Sequence, residues 1–146
     1  MADKHTIARF QIAMALETEH LHLNPYLVDL GVEAVFNDPS KGRYYVASLI
    51  NDPEHIIASL LTTYEWSDWR NGQVLWIQSV FVEPGFRRSG VFRSMYLHIK
   101  NLILDDKNEY RGIRLYVDKS NTIAQKVYLS LGMQNHHYET FEWMKS

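Results

Sequence analysis

Residues 79–93 join a short apolar strand, a proline turn, a basic loop and the start of a helix, in the order Ser-Val-Phe-Val-Glu-Pro-Gly-Phe-Arg-Arg-Ser-Gly-Val-Phe-Arg. Pro84 ends the strand, because a proline cannot donate to a sheet ladder. A helix that begins at Gly90 presents free backbone N–H groups and the positive end of its dipole beside the charges of Arg87 and Arg88. The segment therefore predicts a strand-to-helix corner that binds a phosphate group.

The composition fits a single domain over residues 1–146. A chain of 146 residues, of which 46% are hydrophobic, can bury one sizeable core but not two. A net charge of -2 argues against broad binding to nucleic acid or to a membrane surface. The sequence has no cysteine, which excludes disulfides and a cysteine nucleophile. It also has no apolar run of membrane-spanning length and no signal-peptide pattern, so we expect a cytoplasmic protein.

Hydrophobic periodicity and turn residues predict an α+β layout. The predicted helices cover residues 6–19, 25–37, 91–105 and 124–131. The predicted strands cover residues 44–50, 56–66, 74–82, 113–117 and 137–144. The first three strands form an antiparallel meander, and the basic loop lies at the first strand-to-helix crossover. We therefore expect a mixed central sheet with flanking helices.

The spacing of the basic loop narrows this class. Arg87-x-x-Gly90-x-Phe92 resembles the acetyl-CoA pyrophosphate loop of the GNAT superfamily of N-acetyltransferases, whose pattern is Arg or Gln, two residues, Gly, one residue, and Gly or Ala. Phe92 departs from that pattern, but its ring can turn into the core while its amide still faces the phosphate. By this resemblance the pyrophosphate is held by Arg87, Arg88, Ser89, Gly90, Val91, Phe92 and Arg93.

Further features lie in the order that the superfamily implies. The backbone groups expected to pair with the pantetheine arm belong to Val80, Phe81 and Val82. Downstream, Asn121 corresponds to the asparagine that contacts the cofactor, and Tyr128 to the tyrosine that approaches its sulfur. The resemblance covers nearly all of residues 44–144. It implies a GNAT-like acyl-CoA N-acyltransferase fold, with acetyl-CoA as co-substrate and no metal.

The chemistry of acetyl transfer to an amine explains these residue types. The amine attacks the thioester carbonyl as the free base, the oxyanion needs a hydrogen-bond donor, and the departing thiolate needs a proton. Tyr128, one helical turn beyond Ala124, is the expected general acid, and a backbone N–H near Val82 is the expected oxyanion donor. Without a cysteine, direct attack in a ternary complex is favoured over an acetyl-enzyme.

The acceptor side is assigned to the hairpin over residues 64–78. The candidates for the general base are Glu65, which is slightly favoured, and Glu83. The aromatic residues that can wall an amine pocket by hydrophobic and cation-π contact are Tyr64, Trp66 and Trp69. The hairpin resembles that of diamine acetyltransferases, which carry a carboxylate where this chain has Gln78. An amide can orient an amine or a water but cannot take its proton, so we expect a primary amine of a small molecule rather than a polyamine in particular.

Each assignment has a structural alternative. The loop is also compatible with an ordinary strand-to-helix corner, Tyr128 with a core tyrosine, and Asn121 with a helix cap. The tryptophans can fill the core or a dimer contact, and the two glutamates can be solvated. The histidine pairs at 20, 22 and 136, 137 lack nearby acidic or cysteine ligands, so no metal is expected.

Three functions therefore stay open beside a small-molecule N-acetyltransferase. They are a protein or peptide amino-group acetyltransferase, a non-catalytic CoA-binding or regulatory module, and an α+β interaction domain that binds no nucleotide.

The beginning of the chain departs from the superfamily, whose members usually open with a strand. Only residues 1–5 precede the first helix here, so that strand is short or missing. An absent strand would leave the next one, over residues 44–50, as an exposed edge that can pair with another chain. We therefore expect a homodimer that covers this edge.

Overall fold

The structure, a computed structural model, describes residues 2–105 and 107–146. The chain forms two compact units, residues 1–114 and residues 115–146. The helices of the first unit are α1 (Lys4–Glu19), α2 (Pro25–Asn37) and α3 (Val91–Leu104). Its strands are β1 (Arg43–Leu49), β2 (Asp52–Ser67), β3 (Gly72–Val82) and β4 (Tyr110–Arg114). The second unit contains α4 (Thr122–Ser130). None of the described helices has the length and apolar character that a membrane crossing requires.

The start of α2 follows directly from its sequence. The side chain of Asn24 accepts hydrogen bonds from the backbone N–H groups of Tyr26, at 3.0 Å, and Leu27, at 3.5 Å. Pro25 occupies the first turn, where its missing N–H has no helical partner to lose. The helix predicted over residues 25–37 is therefore confirmed.

The four strands form one mixed sheet in the order β1-β2-β3-β4. β1, β2 and β3 are successive antiparallel neighbours, whereas β4 runs parallel to β3 after the crossover through α3. The predicted meander and the α+β class are confirmed. No strand precedes α1 among the described residues, and β1 is an edge strand.

Helices cover both faces of the sheet. Tyr44 and Tyr45 are neighbours on β1, so their side chains point to opposite faces. The ring of Tyr44 stacks on Phe36 of α2 at 5.8 Å, and that of Tyr45 meets His98 of α3 at 5.7 Å. α1 lies on the same face as α2, where it packs against that helix and places Phe10 against Phe81 of β3. The large side chains buried in this unit include Ile7, Leu60, Leu75, Ile77 and Ile99.

Two strand predictions are corrected. The predicted strand over residues 113–117 lies earlier, at Tyr110–Arg114. The predicted strand over residues 137–144 is wrong, because this segment has no strand conformation, and Phe141 and Trp143 are 93% and 86% exposed. Alternating β-forming residues give a segment the propensity for a strand, but a strand also needs a hydrogen-bonded neighbour.

Candidate functional site

The loop between β3 and α3 uses two residues in the left-handed region. Arg88 has a φ of 62° and Gly90 a φ of 83°. A Cβ atom on Gly90 would meet no heavy atom within 4 Å, so this glycine is needed for its dihedral angle and not for space. The hydroxyl of Ser89 donates to the carbonyl of Phe86, which closes the turn. The loop therefore turns the chain directly into α3, which begins at Val91.

The beginning of α3 fits an anionic group. Gly90 provides no side-chain cap, and the first N–H groups of a helix have no carbonyl partner within it. Arg88 and Arg93 are exposed, and neither forms an ion pair with any residue in the described part of the chain. Unpaired cations beside uncapped N–H groups match the charge and acceptor oxygens of a pyrophosphate.

Arg87 has a different environment from the other two arginines. Its Nε donates to the carbonyl of Val82 at 2.8 Å, and both terminal nitrogens bind the carboxylate of Glu17 on α1, with Nη2 at 3.0 Å from Oε2. Its guanidinium carbon also lies 5.5 Å from the centre of the Phe81 ring. The side chain is therefore already engaged by protein groups.

A β-bulge interrupts β3 just before its end. Leu61 pairs with Gln78 and Ser59 pairs with Phe81, so Ser79 and Val80 together face one residue of β2. Ser79 has a φ of 54°, which is unusual for a residue other than glycine. A bulge leaves its extra residue outside the ladder, so this part of β3 has backbone groups for another partner. Sequence reasoning missed the bulge, because no glycine marks it.

The segment beyond the bulge is anchored on both sides. Phe81 is buried and lies 4.8 Å from the ring of Phe10 on α1. The N–H of Glu83 donates to the carbonyl of Ile57 at 2.8 Å. The ring of Phe92 is half-buried, 6.3 Å from that of Tyr96, so the residue that departs from the family pattern places its ring against its own helix.

The carboxylate of Glu83 lies between the end of β3 and the loop. Its Oε2 lies 3.5 Å from Nε2 of His55, with side-chain exposures of 29% and 43%. His55 in turn meets the ring of Phe86 edge-on at 6.0 Å. Glu83 therefore lies next to Val82 with an imidazole within ion-pair distance.

Glu65 lies between two side chains that bind it, Trp76 and Arg114. Its carboxylate accepts a hydrogen bond from Nε1 of Trp76 at 2.8 Å and is bound by Nη1 of Arg114 at 2.9 and 2.7 Å. The hydrogen bond from Trp76, followed by the interaction with Arg114, lowers the pKa of Glu65 below its usual range. Val82 pairs with Ala58 of β2, and Glu65 lies seven residues further along that strand. At about 3.3 Å per residue, Glu65 is therefore about 23 Å along the sheet from the position of Val82. A distant carboxylate of lowered basicity does not suit a general base.

Replacing Glu65 by glutamine should lower stability by about 1 kcal/mol, because Arg114 loses its carboxylate partner. We expect kcat to stay within about threefold of wild type, since the side chain is remote from the loop. The folded-state pKa of Glu65 is depressed, so its contribution is present above the pKa of the unfolded chain and is lost as the pH falls through the folded-state value. Urea unfolding at pH 7 and near pH 3 checks this, and equal destabilisation at both values would contradict it.

The predicted acceptor residues are spread along the hairpin. Trp66 and Trp69 are 55% and 87% exposed, so neither fills the core. Tyr64 lines a groove of about 470 Å³ together with Phe36 and Tyr44 at the end of the sheet remote from the loop. Gln78 adjoins the bulge, and its Nε2 donates to Oγ1 of Thr63 at 2.8 Å. Of these four side chains, Gln78 lies nearest to the bulge along the strands.

Asn121 and Tyr128 belong to the second unit. Oδ1 of Asn121 accepts from the N–H of Ala124 at 3.1 Å, so this residue caps α4. Tyr128 is half-buried on α4, and burial raises its pKa above the usual value of 10.0. Its phenol is therefore protonated at neutral pH.

The histidine pairs do not assemble a metal site in the structure as described. The rings of His136 and His137 lie 4.2 Å apart. Within residues 2–105 and 107–146, no group of three or more His, Asp or Glu side chains is arranged to hold a metal ion.

Comparison with known proteins identifies the family. Residues 10–133 match the model of the acetyltransferase (GNAT) family. A possible acetyltransferase from Clostridium difficile 630 is 40% identical, with a TM-score of 0.88 over 99% of this chain and 92% of that one. A probable acetyltransferase shares the fold at 16% identity, with a TM-score of 0.84 over 100% and 94% of the two chains.

A more distant structure has the same fold. Glucosamine-6-phosphate N-acetyltransferase from Arabidopsis thaliana, at 15% identity, gives a TM-score of 0.65 over 99% of this chain and 95% of that one. No functionally curated protein matches the sequence. The family match covers most of the chain, including the loop and the bulge, and this protein belongs to the GNAT family of acetyltransferases.

Proposed function

We propose that the protein is an acetyl-CoA-dependent N-acetyltransferase that acts on a primary amine of a small molecule by direct attack in a ternary complex. The loop over residues 87–93 carries this proposal. It combines a left-handed glycine, an uncapped helix start and two arginines without an ionic partner among the described residues. Family membership supports acyl transfer as the reaction class.

On the donor side, the backbone N–H groups of the loop hold the pyrophosphate together with Arg88 and Arg93. Acetyl-CoA supplies an activated acyl group and a thiolate as its leaving group. The strand residues Val80 to Val82 present backbone groups to the pantetheine arm, and the bulge at Ser79 supports this role because it removes a residue from the ladder. A backbone N–H near Val82 is the proposed donor to the carbonyl oxygen.

Two side chains have proposed roles in moving protons. Tyr128 protonates the departing thiolate, a role supported by a raised pKa that keeps the phenol protonated. Glu83 is the preferred general base, because it adjoins Val82 and its Oε2 lies 3.5 Å from Nε2 of His55. Glu65 is less suitable, because Trp76 and Arg114 already bind its carboxylate.

For the acceptor, Gln78 is the preferred contact among the predicted residues, because it adjoins the bulge. Its amide can orient an amine through its carbonyl oxygen. Tyr64, Trp66 and Trp69 lie towards the other end of the hairpin, where they suit a long acceptor or a separate contact.

The test is a titration followed by a screen. Acetyl-CoA should bind and raise Tm, and a thiol-release assay over polyamines, amino acids, aminoglycosides and peptide amino termini should show turnover with a small amine. Turnover with peptide amino termini alone would favour a protein or peptide acetyltransferase. Absence of any acetyl-CoA binding would contradict both.

One observation favours a non-catalytic CoA-binding module as the second candidate. Of the two candidate bases, Glu65 is already bound by Arg114, so Glu83 alone remains for this role. A module of this kind would bind acetyl-CoA yet release no thiol with any amine in the screen.

We also propose that the protein is a homodimer formed over the edge of β1. This strand has no outer neighbour in the described sheet. An unpaired edge favours pairing with another chain. Light scattering at micromolar concentration should give twice the mass of the chain, and a monomer mass would contradict the proposal.

A further inference from the structure

Arg87 joins three elements at the end of the sheet. Its guanidinium binds Glu17 in the last turn of α1, its Nε binds the carbonyl of Val82 at the end of β3, and its charge lies over the Phe81 ring. Phe81 packs on Phe10 of α1 at 4.8 Å. A single side chain therefore fastens the first residue of the basic loop to both α1 and β3.

The position of Glu17 in α1 makes the cationic partner Arg87 favourable. Glu17 lies in the last turn of α1, which contains no basic residue, and a carboxylate at the negative end of a helix dipole is unfavourable. The hydrogen bond from Arg87 lowers the pKa of Glu17, and the bond to Glu17 raises that of Arg87. Both groups are therefore ionised at neutral pH, and the pair is a charge-assisted, two-pronged contact.

The same geometry leaves Arg87 fewer free N–H groups for an anion than a guanidinium without protein partners has. Nε and both terminal nitrogens already donate to protein oxygens. Arg88 and Arg93, in contrast, have no ionic partner within the described residues. The three arginines of the loop thus differ in what they can offer to a phosphate.

We propose that Glu17 and Arg87 are a positioning pair that fixes the loop, while Arg88, Arg93 and the backbone N–H groups contact the pyrophosphate. The inference rests on the proposed binding of acetyl-CoA, and it revises the expectation that Arg87 itself holds the phosphate. It also adds Glu17, which no feature of the sequence marks as part of the site.

Glu17→Gln and Arg87→Gln should each weaken acetyl-CoA binding about fivefold, since each breaks the same contact. The double variant should bind no more weakly than the single ones, because the two residues act as one unit. With an active enzyme, KM for acetyl-CoA should rise while kcat stays close to wild type. The control is Glu33→Gln, which removes a carboxylate paired with Lys4 between α1 and α2 and should leave the Kd unchanged.

A charge exchange separates positioning from direct contact. Glu17→Arg combined with Arg87→Glu restores an ion pair between α1 and the loop, so it should bind acetyl-CoA more tightly than Arg87→Glu alone. A direct phosphate ligand at position 87 would leave the exchange as weak as Arg87→Glu, and that result would overturn the inference. Tighter binding by Glu17→Gln would also overturn it, because Glu17 would then compete with pyrophosphate for Arg87.

Hydrogen exchange in the ligand-free protein provides a readout that does not depend on acetyl-CoA. Amides over residues 85–90 should exchange faster in Glu17→Gln and Arg87→Gln than in wild type, and unchanged exchange would contradict the positioning role. Failure of wild type to bind acetyl-CoA would defeat the proposed function, whereas wild-type binding that is unaffected by both variants would defeat only this inference.

Discussion

Replacing Tyr128 by phenylalanine is expected to lower kcat by about 100-fold or more, because the departing thiolate loses its proton donor. The substitution removes only the hydroxyl from a half-buried ring, so the Kd for acetyl-CoA should change by less than about twofold. Steady-state kinetics together with a calorimetric titration measure the two quantities separately.

Tyr26→Phe is a matched control, since it removes the same hydroxyl from a tyrosine that is 69% exposed on α2. A loss of acetyl-CoA affinity as large as the loss of kcat would contradict the role of Tyr128 as an acid. The pH profile adds a further check. Burial raises the pKa of Tyr128 above 10.0, so its phenol stays protonated through neutral pH, and activity should fall for this reason only above the raised value.

Gly90→Ala is expected to weaken acetyl-CoA binding about tenfold. Gly90 has a φ of 83°, and a side chain in the left-handed region costs about 1–2 kcal/mol. Relief of this strain would rotate the N–H groups at the start of α3 away from the anion. Isothermal titration with acetyl-CoA measures the effect, and urea unfolding shows how much of the strain appears as lost stability.

Gly85→Ala is the control for this variant. Both glycines have open space where a Cβ would lie, but only Gly90 has a positive φ. An equal loss of affinity in the two variants would mean that backbone conformation at Gly90 is not what prepares the loop. An unchanged Kd in Gly90→Ala would contradict the proposed anion site directly.

Much of the fold could be predicted from local signals. Asn24 and Pro25 mark the start of α2, and Gly90 marks the start of α3, because these residue types satisfy backbone requirements that other residues meet poorly. The error over residues 137–144 has a physical cause. Strand propensity is a property of the segment, whereas a strand exists only where a neighbouring chain segment completes its hydrogen bonds.

The site was less predictable, because much of it depends on contacts between residues far apart in sequence. Glu65, between Tyr64 and Trp66, is the slightly favoured base from the sequence, yet Arg114 from β4 binds its carboxylate. The loop pattern assigned Arg87 to the phosphate, yet Glu17 of α1 occupies its guanidinium. In both cases the partner comes from another element, so local sequence could not reveal the contact.

The bulge makes β3 one residue longer than its ladder with β2 requires. Ser79 and Val80 share one partner position, while Gln78 and Phe81 on either side keep regular ones, opposite Leu61 and Ser59. Deleting one of the two bulge residues would therefore leave a continuous ladder and would keep Phe81 on the face that meets α1. The sheet is compatible with a shorter strand, so folding alone does not explain why the extra residue is there.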